Sequence, residues 1–130
     1  MPSLKFKLPI MPVAQGRPRF TRRGIAYTPA KTRKAKEEIR ALVKAAYKGE
    51  PLTDEISVTI AFVFPPRLKL KDIPHPFPLP HTKKPDIDNL TKLVLDALNG
   101  VLWVDDAQIW ELKAVKVQVN RKPCIELIVN

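Results

Sequence analysis

A chain of 130 residues with 23 Lys and Arg against 13 Asp and Glu carries a formal net charge of +10. It is long enough for one hydrophobic core and too short for two, so residues 1–130 are expected to form a single domain. A hydrophobic fraction of 45% excludes a disordered chain, one cysteine (Cys124) excludes a disulfide framework or Cys-rich zinc site, and no apolar run reaches the ~20 residues that span a bilayer.

The start of the chain alternates apolar and polar residues and lacks the continuous apolar stretch of a signal peptide. A reducing, cytoplasmic compartment and no membrane partner are therefore expected. Residues 1–49 hold 13 Lys and Arg but only Glu37 and Glu38 as acids, a net charge of +11; residues 50–130 hold 10 basic and 11 acidic residues, a net of −1. A basic segment this one-sided points to a polyanionic partner, nucleic acid above all, although a solvated face would share the composition.

Leu4, Phe6, Leu8 and Ile10 alternate with polar residues and predict a half-buried strand. Residues 11–27 read as a basic loop containing Arg17, Arg19, Arg22 and Arg23. Thr28-Pro29 reads as an N-cap followed by proline at the first helical position. Ala35, Ile39, Leu42, Val43 and Ala46 then recur at helical spacing to about Lys48, with Gly49 as the stop. Lys36, Arg40, Lys44 and Lys48 repeat every four residues as a basic stripe.

A second strand is expected over 55–64, with Ile56, Val58, Ile60, Phe62 and Phe64 on one face. Residues 65–85 hold seven of the 14 prolines and predict a long extended loop. A second helix is expected from an N-cap at Asp88 to about Leu98, closed by Asn99-Gly100. After Val101–Val104 and the Asp105-Asp106 dyad, alternation over 113–119 and 125–129 predicts a terminal hairpin. The order is β-α-β-α-β-β, an α/β (α+β) domain with two main helices on a small mixed sheet.

Chemistry concentrates in Lys84-Pro85-Asp86-Ile87-Asp88-Asn89-Leu90. If Asp86 to Asp88 is extended, both carboxylates project to one side. They would repel unless a cation lies between them, and hard oxygen donors suit Mg²⁺ or Mn²⁺. The same acids would serve equally as helix caps. Lys92 follows Asp88 by about one turn and Asp96 by another, so the three would share one polar edge. Lys92 could stabilise charge on a phosphate or form an ordinary i,i+4 ion pair. In the dyad, one carboxylate could enter a site while the other faces away, or both could sit in an exposed turn. His75 and His81 are expected to be solvent-exposed loop histidines and not ligands, and Trp103 and Trp110 to serve core or interface packing more than base stacking.

Lys84-Pro85-Asp86-Ile87-Asp88-Asn89-Leu90-Thr91-Lys92, then Leu95-Asp96-Ala97-Leu98-Asn99-Gly100, then Trp103-Val104-Asp105-Asp106-Ala107-Gln108-Ile109 resembles, in order and spacing, the RusA family of Holliday-junction resolvases. Gly16-Arg17-Pro18-Arg19 and Tyr27-Thr28-Pro29 resemble the family's N-terminal pattern. Pro85 departs from members that carry a basic residue there, and residues 65–80 have no counterpart in the pattern. The resemblance implies a small, dimeric, Mg²⁺-dependent endodeoxyribonuclease, with Mn²⁺ as a substitute metal, of a kind often carried by phages and prophages. It implies metal ligands at Asp86, Asp88 and Asp106, with Asp105 adjacent, and a catalytic lysine at Lys92. The partner would be branched DNA in recombination and repair, in a bacterial or phage-infected cell. Arg17, Arg19, Arg22, Arg23, Lys36, Arg40, Lys44 and Lys84 are the expected phosphate contacts. A flap- or fork-cutting nuclease and a non-enzymatic basic nucleic-acid-binding protein are the alternatives.

Overall fold

The computed structural model describes residues 3–67, 69–73 and 77–130; His75 lies outside the described residues. The fold is α+β: two helices, a mixed five-stranded sheet and a separate two-stranded ribbon. The elements are β1 (Leu4–Leu8), β2 (Arg19–Phe20), β3 (Ala26–Tyr27), α1 (Ala30–Ala46), β4 (Ile56–Phe64), β5 (Leu79–Pro80), α2 (Ile87–Leu98), β6 (Ile109–Gln118) and β7 (Cys124–Val129). No helix among the described residues is long and apolar enough to cross a membrane.

β4 organises the sheet. Its alternation buries Ile56, Val58, Ile60, Phe62 and Phe64 on one face while Ser57, Thr59 and Ala61 stay half-exposed. The most apolar strand takes the centre, so the order is β1-β7-β4-β6-β5. β6 lies parallel to β4 on one side, and β7 antiparallel on the other. A parallel pair needs a long crossover, which α2 provides. The expected terminal hairpin does not form: β7 leaves β6, passes to the far side of β4, and also pairs with β1, Leu4 opposite Val129.

Both helices pack against each other, α1 against β1 and α2 against β6. Leu90, Leu93, Val94 and Leu98 of α2 are fully buried, as are Ile39 and Val43 of α1. Removing any such leucine costs about 2–5 kcal/mol, so the helix bearing Asp88 and Lys92 is held rigidly. Trp103 is completely buried, and its Nε1 donates to Asn99 Oδ1 at 2.8 Å. Trp110 is mostly exposed, so it is not part of the core.

Several boundaries shift for local reasons. Pro29 is itself the cap of α1, and Thr28 lies outside it. The helix stops at Ala46, where the Tyr47 N–H donates to Val43 O at 2.7 Å. Gly49 does not adopt a left-handed conformation; a Cβ there would lie 2.8 Å from the Tyr47 hydroxyl, which donates to Glu50 O. Gly100, past the end of α2, does take φ +77° as expected of a helix stop. Asp86, not Asp88, caps α2. β6 starts at Ile109, four residues before the alternation becomes visible. The basic loop contains the β2–β3 ribbon, and the proline-rich loop contains a 3-10 turn at Leu70–Asp72 and the edge strand β5.

Candidate nucleic-acid and metal site

Backbone at Asp86 is extended (φ −71°, ψ 141°), but Ile87 already begins α2, so Asp88 stands in the first helical turn. The two carboxylates are therefore not consecutive same-side residues of a strand. Their shared environment comes from the turn itself: Asp86 and Asp88 line one cleft of about 590 Å³ with His81, Thr82, Lys84 and Lys116. Negative charge at Asp88 is favourable there because the unsatisfied N–H groups of a helix start carry partial positive charge. Asp88 Oδ1 also accepts from the Asn89 N–H at 2.9 Å.

One residue that sequence reasoning passed over holds this turn. Lys116 projects from β6, and its ammonium donates to Lys83 O and to Pro85 O, both at 2.6 Å. Its own carbonyl accepts from the His81 N–H at 3.0 Å. The segment that delivers Asp86 is thus clamped to the sheet from both ends. The signal was slight: a lysine at a polar position of the alternating run Val115 to Val119. Contrary to the expected solvent exposure, His81 is only 7% exposed, because it lies under the sheet edge with its ring 4.5 Å from that of Phe64, and its buried Nδ1 has no partner among the described residues. Burial, then the positive charges of Lys116 and Arg67, push its pKa below the ordinary histidine value.

A second cleft, about 560 Å³, adjoins the first. Asp88 belongs to both, and here it meets Lys92, Asp96 and Asp106. The dyad divides between two tasks. The Asp105 N–H donates to Gln108 Oε1 at 2.8 Å, while Gln108 Nε2 donates to Leu52 O and Asp54 O, each at 2.9 Å. That pins the turn with Asp105 outward and Asp106 half-buried at the cleft. Asp96 is partly engaged elsewhere, by Gln15 Nε2 at 3.2 Å and Lys36 Nζ at 3.7 Å.

The basic residues separate into two groups. Arg17 and Arg19 line a groove of about 880 Å³ that also includes Lys31, Lys84 and Asp86. Arg22 and Arg23 sit at the exposed turn of the ribbon. Lys84 Nζ lies 3.1 Å from Asp86, an exposed pair whose partners a phosphate or cation would compete for. The expected α1 stripe is interrupted: Lys36 faces Asp96, and Arg40 donates to Ala97 O at 3.3 Å near the end of α2, leaving Lys44 and Lys48 exposed.

Among the described residues, no three His, Cys, Asp or Glu converge into a ready metal cluster. Asp86 and Asp88 instead line one cleft, and Asp88 and Asp106 the adjoining one. That donor set suits Mg²⁺, which keeps several waters and takes one or two carboxylates plus substrate phosphate oxygens in place of an all-protein cage.

Residues 9–130 match the family model described as Endodeoxyribonuclease RusA. The chain is 34% identical over 140 residues to YqaN of Bacillus subtilis (strain 168), described as an uncharacterized protein; the match covers 100% of this chain and 97% of YqaN. It is 36% identical over 53 residues to the crossover junction endodeoxyribonuclease RusA of Escherichia coli (strain K12), covering 40% of this chain and 44% of that protein. The protein of the same name from Shigella sonnei (strain Ss046) gives the same figures.

Proposed function

Because this chain belongs to the RusA endodeoxyribonuclease family, we propose that it is a divalent-metal-dependent endonuclease that resolves four-way DNA junctions by paired nicks. One observation carries this reading: the arginine groove, the Asp86–Asp88 cleft and the Lys92–Asp106 cleft share lining residues and form one continuous track. Lys84 and Asp86 join the first two, and Ile87 and Asp88 join the last two. A DNA strand seated by its phosphates on Arg17, Arg19 and Lys31 would be led to the carboxylates.

Asp86 and Asp88, with Asp106 beside Asp88, would hold Mg²⁺, or Mn²⁺ in its place. When bound, the cation supplies Lewis-acid stabilisation of the phosphate oxygens and activation of a water. Lys92, exposed on the edge of α2, offsets negative charge developing at phosphorus or on the leaving oxygen. Lys84 keeps Asp86 paired until substrate or cation displaces it. Arg17, Arg19, Arg22, Arg23 and Lys44 bind phosphates without reading bases; Lys36 and Arg40 contribute more through the helix contact. Cleavage would leave a 5′-phosphate and a 3′-hydroxyl, ends that a ligase can reseal. Two symmetric nicks call for two sites, and we propose a homodimer. The outer edge of β6 supports this: among the described residues it is paired only at Val117 and Gln118, and Trp110 and Leu112 are exposed beside it.

The test is incubation with a labelled four-way junction, a flap and a linear duplex, each with and without Mg²⁺. The expected result is metal-dependent cutting of the junction in preference to the other two, lost in Asp88→Asn with junction binding retained. Preference for the flap moves the substrate to replication-fork structures; binding without cutting leaves a non-enzymatic nucleic-acid-binding protein.

A further inference from the structure

Among the described residues, no side chain of the β2–β3 ribbon belongs to the hydrophobic core. Every residue from 17 to 28 is exposed, including Phe20 at 69%, Ile25 at 62% and Tyr27 at 47%. A two-stranded ribbon of this size is marginal in water on its own, and large apolar side chains on it are a standing cost. Yet its geometry is well defined. Arg19 pairs with Tyr27 and Phe20 with Ala26, so the two aromatics lie on opposite faces. Thr21 closes the tip: its N–H donates to Ile25 O, its carbonyl accepts from Gly24, and its hydroxyl accepts from Ile25. Gly24, at φ +78°, makes that turn.

The root is also fixed. The Gly16 N–H donates to Thr32 Oγ1 at 3.0 Å, where a Cβ would crowd Thr32 and Pro29, and the Gln15 N–H donates to Asn89 O at 2.9 Å. The ribbon therefore stands at a set position relative to the first turn of α2 and its acids. Four arginines lie between residues 17 and 23, and no acid occurs before Glu37.

We propose that this ribbon is a wedge that stacks on unpaired bases at a DNA branch point, Phe20 on one face and Tyr27 on the other. The ligand must offer both negative charge and flat apolar faces, because the ribbon presents arginines and two oppositely directed aromatics. A linear duplex offers the charge, but its base faces are covered by their neighbours. Bases exposed where helices diverge offer both. A second copy of this chain fits poorly, since two arginine tips would repel. The groove running from Arg17 and Arg19 to Asp86 places a scissile phosphate close to such a wedge. This inference rests on DNA being the partner, as proposed above, and adds how a branch is told from a duplex.

The experiment is fluorescence anisotropy in EDTA with a four-way junction, a linear duplex and oligo-dT, using wild type, Phe20→Ala/Tyr27→Ala and Phe20→Trp. Losing a base–aromatic stack should weaken junction and oligo-dT binding by about tenfold or more per aromatic. Duplex affinity, carried by the arginines, should stay within about twofold. Phe20→Trp should bind as wild type does. The junction with 2-aminopurine at the branch should change fluorescence on binding wild type and not on binding the double alanine variant. Melting temperature should hardly move, because neither side chain belongs to the hydrophobic core.

Equal loss on all three DNAs, no loss on any, or a melting temperature or sedimentation coefficient altered by the alanines overturns the wedge. Wild type that binds none of the DNAs ends the wedge and the nuclease reading together. Wild type that binds and cuts while the alanine variant behaves identically ends the wedge alone.

Discussion

Lys116→Met would separate the support of the acid turn from the chemistry performed there. The substitution keeps the length of the stem and removes every donor. Two hydrogen bonds of 2.6 Å are lost, to Lys83 O and Pro85 O. A hydrogen bond involving a charged group contributes about 1.5–3 kcal/mol, but the Lys83 bond lies at the surface, where water replaces the ammonium, so about 2 kcal/mol is a reasonable total. With an unfolding entropy of about 2.1 cal/mol/K per residue over 130 residues, that lowers Tm by about 7 °C. The effect on cleavage should be larger. A displacement of about 1 Å at a reacting centre can cost ~10²-fold, and the turn being released is the one that carries Asp86. Single-turnover cleavage of a saturating junction across a Mg²⁺ series, alongside thermal melting and junction affinity, measures all three effects. The expected outcome is a cleavage rate down by about 10²-fold, a higher Mg²⁺ requirement and little change in affinity, with Lys116→Arg recovering part of the rate. A Lys116→Met protein that melts lower but cuts at the wild-type rate and Mg²⁺ requirement would refute the idea that this clamp positions Asp86.

Lys92→Ala should slow single-turnover cleavage by about 10²-fold while leaving Tm nearly unchanged, because the side chain is exposed on α2. Asp106→Asn should abolish cleavage, whereas Asp105→Asn should retain most of it and reduce stability only slightly; equal activity loss in both would contradict their division between cleft and turn. Replacing Arg17, Arg19, Arg22 and Arg23 with Ala should flatten the dependence of junction affinity on salt, by about 0.9 in log–log slope for each phosphate contact removed. His81 has a folded pKa below its unfolded value of 6.5, so the folded state binds fewer protons between the two values. Its contribution to stability is full above pH 6.5 and lost as pH falls below it; in urea unfolding from pH 7.5 to 5, His81→Phe should lose less stability than wild type.

Much of the fold is written in local pattern. The alternation of β4 and the 3.6-residue spacing of Leu90, Leu93, Val94, Ala97 and Leu98 are direct consequences of which faces are buried. Asp86, Asp88 and Lys92 stand out for the same reason: polar groups of strong chemistry interrupt an apolar helix. What pattern does not carry is partnership. β7 alternates in the same way whether it pairs with β6 or with β1 and β4, so a hairpin was the simplest expectation. The β2–β3 ribbon has two residue pairs and no buried face, and leaves no periodicity to detect. The roles of Lys116 and Gln108 depend on carbonyls 31 to 56 residues away. The fate of Lys36 and Arg40 depends on α2 lying alongside α1. In each case the missing information is a long-range contact.

The strand order has a consequence for how the protein is made. β1 finds its only ladder among the described residues on β7, which is synthesised about 120 residues later. At ribosomal speeds of about 5–20 residues per second, Leu4, Phe6 and Leu8 wait on the order of 6–25 s for a sheet to enter. Residues 56–118, by contrast, contain β4, β5, α2 and β6, a unit that can pair as it emerges. The acid clefts can thus take shape on the nascent chain while the first strand is still a bare amphipathic segment, open to a chaperone. Late closure then lays β1 alongside β7, with the Ser3 hydroxyl donating to Asn130 Oδ1.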